Sequence, residues 1–499
     1  MIVERVRSGD ISATEVVEAH IRRIESTHAR LNALVIPLFS SARTEAKAVD
    51  AAREGREQLG ALAGLPFTVK ESWDVAGTPS TMGLTARSTQ LAEADAPQVA
   101  ALRRAGAILL GKTNVSQLLM GNETSNPLYY RTKNPWNEQR APGGSTGGEA
   151  ALIAAGGSPL GLGSDIGGSV RLPAHACGIQ AIKPTSLSMK GHANLFPGQL
   201  AISSQPGLLA RTVADLELAL RMMDTRSRPG FGDPGALSIR MMRVALYTDN
   251  GVMQVAPALR RAVVEAGAAL ASRGAYVEEW KPPGVEEAWP KYLGILMADG
   301  SANARRICQG SKLAPTVRQV LLAGLTPRWF HRIVSAPILR TSGQKLLAGA
   351  TEAMGYVSAD EYWQLLSWQA SFRERFLIGL DRGRFDVLIC PPDVLPALRH
   401  GSGQYLSAAL SYSAVYNLLS MPAGVVAVTR VRPDEESDRG LSWDLVVRKA
   451  VQCEAGSVGL PVGVQVAAKQ HREDIVLCVM KAIEEHFRSL PDYPLHPPI

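Results

Sequence analysis

The stretch GSDIGGSVRLP, residues 163–173, sets two adjacent glycines directly before a serine. Glycine adopts backbone angles that other residues avoid, so Gly167 and Gly168 predict at least a turn. Glycine also lets the backbone approach a bound molecule closely, because it has no side chain. The stretch therefore indicates either a simple turn or a nucleophilic Ser169 beside a row of backbone N–H donors.

The segments on either side of this stretch alternate between helical and strand-like patterns. A capping box at 12–15 opens an apolar helical face, and an alanine-rich helix is predicted at 41–59. A further helix is predicted at 96–105, and an alanine-rich apolar stretch covers 150–156. Apolar, β-favouring runs lie at 64–70, 107–110, 385–390, 423–429 and 460–467. This alternation predicts an α/β fold, a sheet with helices on its faces.

The length of 499 residues alone would suggest two or three domains. The sequence shows neither an internal repeat nor a disordered linker, and the strands before and after the glycine-rich region look like parts of one sheet. We therefore predict a single domain over 1–499, with a helical region at about 1–60 and an insertion at about 300–351.

The cysteine pattern and the hydropathy indicate in which cellular compartment the protein is expected. The five cysteines are far apart and never in C-x-x-C spacing, which argues against a disulfide framework or a zinc site and favours a reducing compartment. The chain shows neither a signal-peptide core nor an apolar run long enough to span a bilayer. These features predict a cytoplasmic protein that is not secreted, with no metal and no cofactor.

The formal net charge of +7 comes from one segment. Residues 300–351 contain eight Lys or Arg and no Asp or Glu, so the rest of the chain is nearly neutral. A local basic segment is not the broad basic surface of a nucleic-acid-binding protein, and no nucleic-acid partner is predicted.

Two glycine-containing motifs match the patterns of other functional classes, nucleotide binding and α/β-hydrolase catalysis. Residues 106–113 match the phosphate-binding pattern G-x-x-x-x-G-K-T, but their middle residues are Ala-Ile-Leu-Leu, which favour a buried strand over a nucleotide loop. Residues 143–147 match the nucleophile elbow G-x-S-x-G around Ser145. That elbow needs a histidine base later in the chain, and none of the later histidines lies in a recognisable hydrolase motif.

Lys70 supplies an alternative to histidine. Most lysines are solvated, but Lys70 ends the apolar run 65–69, and a lysine at a buried strand end loses hydration, which lowers its pKa. Ser169 as nucleophile, Ser145 as hydroxyl relay and neutral Lys70 as base would then form an acyl-transfer site. Backbone N–H groups of Ile166, Gly167, Gly168 and Ser169 would stabilise the oxyanion.

Residues 141–185 resemble the core of the amidase signature family. Lys70 in GLPFTVKE, Ser145 in GGSTGG and Ser169 in DIGGSVR match the family's lysine, cis-serine and acyl-forming serine. The resemblance implies a mixed central sheet covered by helices on both faces, and a cis peptide before Ser145. Matches at 124–137, 416–429 and 457–466 extend it to about 8–487, most closely with the family's fatty acid amide hydrolases.

The resemblance implies a serine hydrolase that cleaves fatty acid amides, as a homodimer. It also implies that the backbone of Leu119 helps to position the substrate. Departures from the familiar pattern are Leu119 in place of methionine, Thr146 in place of a second serine, GLLAR at 207–211, and a chain that starts after the usual N-terminal transmembrane helix. Two alternatives stay open, an amidase for small or aryl amides and an amidotransferase A-type subunit.

The basic insertion allows two interpretations. Within 321–347, aromatic and aliphatic residues alternate with arginines, and Pro327 and Pro337 predict short helical pieces. The pieces could pack into the core, or they could form a cap that binds the membrane interface peripherally. The residues expected to form such a cap are Trp329, Phe330, Arg332 and Ile333.

Overall fold

A computed structural model of the chain describes residues 2–186, 200–223 and 232–499. The strands are β1 (Leu34–Pro37), β2 (Pro66–Lys70), β3 (Ile108–Thr113), β4 (Ser125–Asn126), β5 (Tyr130–Arg131), β6 (Leu160–Asp165), β7 (Gln180–Lys183), β8 (Gln205–Ala210), β9 (Arg243–Leu246), β10 (Tyr276–Glu279), β11 (Val387–Cys390), β12 (Ala423–Arg430) and β13 (Pro461–Ala468). In the described residues an eleven-stranded sheet has the order β1-β3-β2-β6-β8-β7-β12-β13-β11-β9-β10, and β4 pairs with β5.

The helices connect and cover these strands. They are α1 (Ile2–Ser8), α2 (Ala13–Leu31), α3 (Phe39–Glu54), α4 (Pro97–Arg104), α5 (Gly147–Ala154), α6 (Arg171–Cys177), α7 (Val213–Met223), α8 (Pro257–Ser272), α9 (Val285–Leu296), α10 (Ala302–Ile307), α11 (Pro315–Ala323), α12 (Arg328–Phe330), α13 (Ala336–Thr341), α14 (Lys345–Ala353), α15 (Ala359–Arg382), α16 (Ser411–Leu418), α17 (Leu445–Glu454) and α18 (Glu473–Phe487).

The sheet is mixed, as the family resemblance implies. β2 runs parallel to β3 and β6, and β9 runs parallel to β10 and β11. The strands between these two groups pair antiparallel, from β6 through β8, β7, β12 and β13 to β11. The predicted α/β architecture is confirmed.

Helices cover both faces of this sheet. Successive strand residues point to opposite faces. Leu208 belongs to the same buried cluster as Leu216 of α7 and Met480 of α18, whereas the next residue, Leu209, belongs to a separate cluster with Ile153 of α5. Burial on both faces explains why the central strands read as continuous apolar runs rather than alternating ones.

The local predictions agree with the structure apart from their ends. The capping box at Ser12 and Glu15 is present and opens α2. The alanine-rich helix ends at Glu54, earlier than predicted, with Gly55 as its C-cap. The phosphate-loop pattern lies in buried strand β3, where Lys112 donates to the Pro79 carbonyl at 2.5 Å, so the strand interpretation is confirmed.

The basic segment differs from its prediction in one respect. α12, the π-helical turn His331–Ser335 and α13 form one helical run over 328–341, so Pro337 does not separate two pieces. Proline has no N–H to donate within a helix, and the wider π turn directly before α13 accommodates that loss. Among the helices of the described ranges, none combines the length and apolar character needed to cross a bilayer.

Candidate active site

The candidate site lies at the edge of the sheet where three neighbouring parallel strands end. β2 ends at Lys70, β3 at Thr113 and β6 at Asp165. Because β2 pairs in parallel with both β3 and β6, these ends lie side by side. The segment after β3 leads to Ser145, and the segment after β6 carries Ser169. Open α/β sheets commonly bind ligands beyond the carboxyl ends of their strands.

Lys70 and Ser145 are in direct contact. Lys70 Nζ lies 2.7 Å from Ser145 Oγ, and it also lies 3.0 Å from Ser164 Oγ and 3.3 Å from the Ser164 carbonyl oxygen. Both the lysine and Ser145 are buried. The partner of the Ser145 hydroxyl is thus a lysine and not the histidine that a nucleophile elbow requires.

Burial makes Lys70 a weak enough base to be neutral near physiological pH. Loss of hydration lowers the pKa of Lys70 to about 7, against the opposing effect of the carboxyl groups of Asp165 and Glu149. A neutral amine carries the lone pair that can take a proton from a hydroxyl. Lys70 is therefore equipped to act as a base through Ser145.

The backbone before Ser145 is fixed by a buried polar chain. The Gly144–Ser145 peptide bond is cis, as the family resemblance implies. Gly144 N–H donates to Asn122 Oδ1 at 3.2 Å, and Asn122 Nδ2 donates to Asp393 Oδ2 at 3.2 Å. Asp393 also accepts two backbone N–H groups from its own loop. This chain links the segment after β11 to the backbone that presents Ser145.

The loop that carries Ser169 is shaped by a buried ion pair. Arg171 Nη2 lies 2.9 Å from Asp165 Oδ1, and both side chains are inaccessible to solvent. Burial alone would raise the pKa of Asp165, but the guanidinium of Arg171 outweighs it and holds that pKa below its ordinary value. The resulting carboxylate accepts the N–H groups of Gly168 at 2.8 Å and Val170 at 3.2 Å.

The four predicted oxyanion donors differ in their hydrogen bonds in this structure. The N–H group of Gly168 donates to Asp165 in this structure, and its donation to an oxyanion stays a prediction. Among the described residues, the N–H groups of Ile166, Gly167 and Ser169 have no acceptor. Gly168 also contributes its conformation, with a φ of +116° that residues with side chains rarely adopt.

The loop that carries Ser169 is hydrogen-bonded to the loop that carries Ser145. Ser169 is half-buried, and its carbonyl oxygen accepts the N–H of Thr146 at 3.2 Å, which joins the two serine loops. Its hydroxyl makes no hydrogen bond to any residue that the structure describes. Hydrogen bonds of catalytic groups often form fully only with substrate bound, so the open hydroxyl is compatible with a nucleophile.

Tyr292 of α9 holds the loop from its other side. Its hydroxyl donates to the Ile166 carbonyl oxygen at 3.0 Å. A methyl group on Gly167 would overlap this same hydroxyl. Glycine is therefore required at 167 for the close approach of Tyr292.

The other predicted site residues lie in two places. Leu119 closes the short turn Gln117–Leu119 with a φ of 55°, and its role in positioning substrate stays a prediction. The four cap residues lie together on the helical run 328–341. Trp329 is 61% exposed, Phe330 38% and Ile333 70%, while Arg332 pairs with Glu361 at 3.3 Å. That degree of exposure disagrees with packing of these side chains into the core.

Sequence reasoning missed several residues that build the site. Asp165 and Arg171 stand in the quoted stretch, four residues before and two after Ser169, and their opposite charges in an apolar setting were a usable signal. Asn122 and Asp393 come together from distant segments, and Tyr292 reaches the nucleophile loop from α9. No local sequence pattern therefore predicts these three residues.

The comparison of the whole chain with protein families agrees with this arrangement. The family described as Amidase matches residues 15–477. The chain belongs to the amidase signature family. Its members among the curated relatives include a fatty-acid amide hydrolase 1 from Sus scrofa, 34% identical over 97% of this chain and 84% of that protein. They also include an indoleacetamide hydrolase from Bradyrhizobium diazoefficiens, 30% identical over 96% of this chain and 84% of that protein.

A solved structure has the same fold as this chain. A fatty acid amide hydrolase superimposes with a TM-score of 0.82, covering 97% of this chain and 84% of that chain, at 23% sequence identity. The family membership establishes an amidase signature hydrolase. Similarity near 30% to relatives with different amide substrates leaves the substrate to be argued from the molecule itself.

Proposed function

We propose that the protein hydrolyses amides of long, apolar acyl chains through a covalent acyl-enzyme. The contact between Lys70 Nζ and Ser145 Oγ, with the free N–H groups beside Ser169, supports the acyl-transfer chemistry. The 34% identity to a fatty-acid amide hydrolase supports the substrate class.

The chemistry proceeds in two half-reactions. Ser169 Oγ attacks the amide carbonyl carbon while its proton passes to Ser145 Oγ, and the Ser145 proton passes to neutral Lys70. The tetrahedral oxyanion accepts hydrogen bonds from the free backbone donors, each typically worth ~3 kcal/mol. The proton returns along the same route to the leaving nitrogen, and the amine departs. Water then attacks the acyl ester with the same groups as base and acid, which releases the carboxylic acid and restores Ser169.

The observation that carries the long-chain proposal is the exposed apolar surface on the helical run 328–341. Trp329, Ile333 and Ile338 are each 61% exposed or more. This run is attached to α9, because the Arg328 guanidinium donates to the Gly294 carbonyl oxygen at 2.9 Å. α9 also carries Tyr292, which touches the nucleophile loop. An apolar surface one helix away from the reacting serine suits a substrate that arrives from a lipid phase.

The same surface supports peripheral membrane association. Aromatic and aliphatic side chains at this exposure can enter the headgroup boundary. The electrostatic attraction to anionic lipid should be smaller than the sequence alone suggests. Arg328 is buried, and two other arginines of the run form ion pairs, Arg332 with Glu361 and Arg340 with Glu352. Binding should therefore depend mainly on apolar burial, with a modest dependence on salt.

A series of acyl amides of increasing chain length tests the substrate class. Each buried methylene is worth about 0.8 kcal/mol, so two added methylenes should raise kcat/KM roughly tenfold until the binding space is full. A profile that is flat, or highest for aryl acetamides, contradicts the long-chain proposal and favours the aryl amidase alternative. Release of ammonia from glutamine in preference to acyl amides indicates an amidotransferase subunit.

A liposome experiment tests the surface. Replacing Trp329, Phe330, Arg332 and Ile333 together with serine should release the protein from anionic liposomes while hydrolysis of a short soluble amide continues. The matched control replaces Leu91, Met241 and Tyr276, which are similarly exposed elsewhere. Wild-type protein that stays in the supernatant, or a control variant that is released equally, contradicts the assignment of this surface.

A further inference from the structure

A buried carboxyl group that the mechanism above does not use is hydrogen-bonded to the strand that carries Lys70. Glu149 of α5 is fully buried, and its Oε2 accepts the hydroxyl of Thr68 at 2.6 Å while Oε1 accepts the hydroxyl of Thr113 at 2.8 Å. Thr68 lies two residues before Lys70 on β2, so both side chains emerge from the same face of that strand. A methyl group on Gly161 of β6 would overlap Glu149 Oε2. The carboxyl group is thus pressed against three strands of the site.

The other charged groups around this point have partners of their own. Asp165 is paired with Arg171, and Glu71 accepts the backbone N–H of Met82. Lys112, on the neighbouring strand β3, donates to the Pro79 carbonyl oxygen and to the hydroxyls of Thr78 and Ser80. Lys183 donates to two backbone carbonyl oxygens.

No salt bridge to Glu149 occurs among the residues that the structure describes, although its hydrogen-bond partner Thr68 lies on the same strand face as Lys70. Loss of hydration raises the pKa of Glu149, which the hydroxyls of Thr68 and Thr113 and the charge of Lys70 oppose, while burial lowers the pKa of Lys70, so the two groups ionise in the same pH range.

We propose that Glu149 is a positioning residue that acts through its charge on Lys70 and sets the pH at which Lys70 becomes a base. The inference rests on the proposed role of Lys70. A negative carboxylate stabilises the ammonium form of Lys70, and a neutral carboxyl releases that stabilisation. Because the two groups interact in a dry interior, they take up protons as a pair and not independently.

The threonines allow either charge state of Glu149. When the carboxylate is ionised, both hydroxyls donate to it. When it is protonated, the Thr113 hydroxyl can accept the new proton and turn its own towards the Val69 carbonyl oxygen, which lies 3.4 Å away. Both charge states therefore leave the buried polar atoms with hydrogen-bond partners.

The test is the pH dependence of kcat/KM for a short soluble amide in E149Q. Glutamine can accept from Thr68 and donate to Thr113, so the substitution keeps the shape and the hydrogen bonds. Removing the negative charge lowers the pKa of Lys70, and the acidic limb of the profile should move to lower pH by roughly one unit and become steeper. Activity on the alkaline plateau should stay within a few-fold of wild type.

Controls separate this inference from the role of Lys70 itself. E484Q removes another buried carboxyl group, one that bonds Val213 and Arg488, and its acidic limb should not move. K70A should lose most activity at pH 7, and a K70A variant with wild-type activity overturns the role of Lys70 and the inference with it.

A K70A variant that is impaired, together with an E149Q profile that coincides with wild type, overturns the inference alone. If E149Q does not fold, T113V removes one donor to the carboxylate and should shift the limb in the same direction. An unmoved limb in T113V overturns the inference equally.

Discussion

Neither the backbone conformation of Gly168 nor the space around it can accommodate a side chain. The substitution Gly168→Ala therefore tests whether the geometry of the nucleophile loop is needed for catalysis. The added methyl carbon would lie 2.6 Å from Ser413 Cβ and 2.7 Å from Leu172 Cδ1. Carbon atoms pack at about 3.5–4.0 Å, so the loop would have to move by about 1 Å. The φ of +116° adds a backbone cost of order 1–3 kcal/mol for alanine.

The movement would displace the N–H groups on both sides of Gly168, which are the free donors at Gly167 and Ser169. Loss of one oxyanion donor costs about 10²–10³ in kcat, or about 2.7–4 kcal/mol. We therefore expect kcat on a short soluble amide to fall about 100-fold, with KM changed only a few-fold because the ground-state amide uses these donors less. Steady-state kinetics with thermal unfolding as a check on folding would measure both.

Gly401→Ala is the matched control. Gly401 has a comparable positive φ of +82°, and an added methyl carbon there would meet no atom within 4 Å. It imposes backbone strain without moving the nucleophile loop, so its kcat should remain near wild type. If Gly168→Ala keeps kcat within about threefold of Gly401→Ala, the backbone donors beside Ser169 do not carry the stabilisation assigned to them.

Four further substitutions and one double variant examine the two serines and the polar chain that holds Ser145. Ser169→Ala should abolish turnover and labelling by a fluorophosphonate, whereas Ser145→Ala should slow both and leave the label on Ser169; a label on Ser145 in the wild type contradicts the assignment of the nucleophile. N122D places two carboxyl groups face to face and D393N removes the acceptor of Asn122, so each should lower kcat roughly tenfold. The double swap N122D/D393N restores a donor and an acceptor and should recover most of the loss; a double variant no better than either single one would mean that this hydrogen bond does not position Ser145.

The sequence was sufficient to predict the local secondary-structure elements and the motifs that come together at the site. Strand β2 was predictable because a short apolar, β-favouring run ends abruptly at Lys70. The serines were predictable because glycine clusters in a long chain mark places where the backbone, and not a side chain, must do the binding. Each of these signals is contained in a few consecutive residues.

The features of the site that the sequence did not predict depend on contacts between distant segments of the chain. The N–H of Gly168 is occupied because Arg171 keeps Asp165 ionised in a dry interior, and burial cannot be read from the order of residues alone. Tyr292 reaches Ile166 from a helix more than a hundred residues away. The helical run through Pro337 was also unpredictable, since its π turn depends on the surrounding packing.

The order of the strands has a consequence for how the chain is made. β12 and β13, residues 423–468, lie between β7 and β11 although they are synthesised last among the strands of the sheet. Until they emerge from the ribosome, β7 and β11 each present an unpaired edge, and exposed edges readily pair with other chains. Such late, long-range pairing slows folding and lengthens the exposure to aggregation. A chain that stops before residue 423 keeps most of its length yet lacks the two strands that join its halves, so synthesis must run almost to the end before the sheet can close.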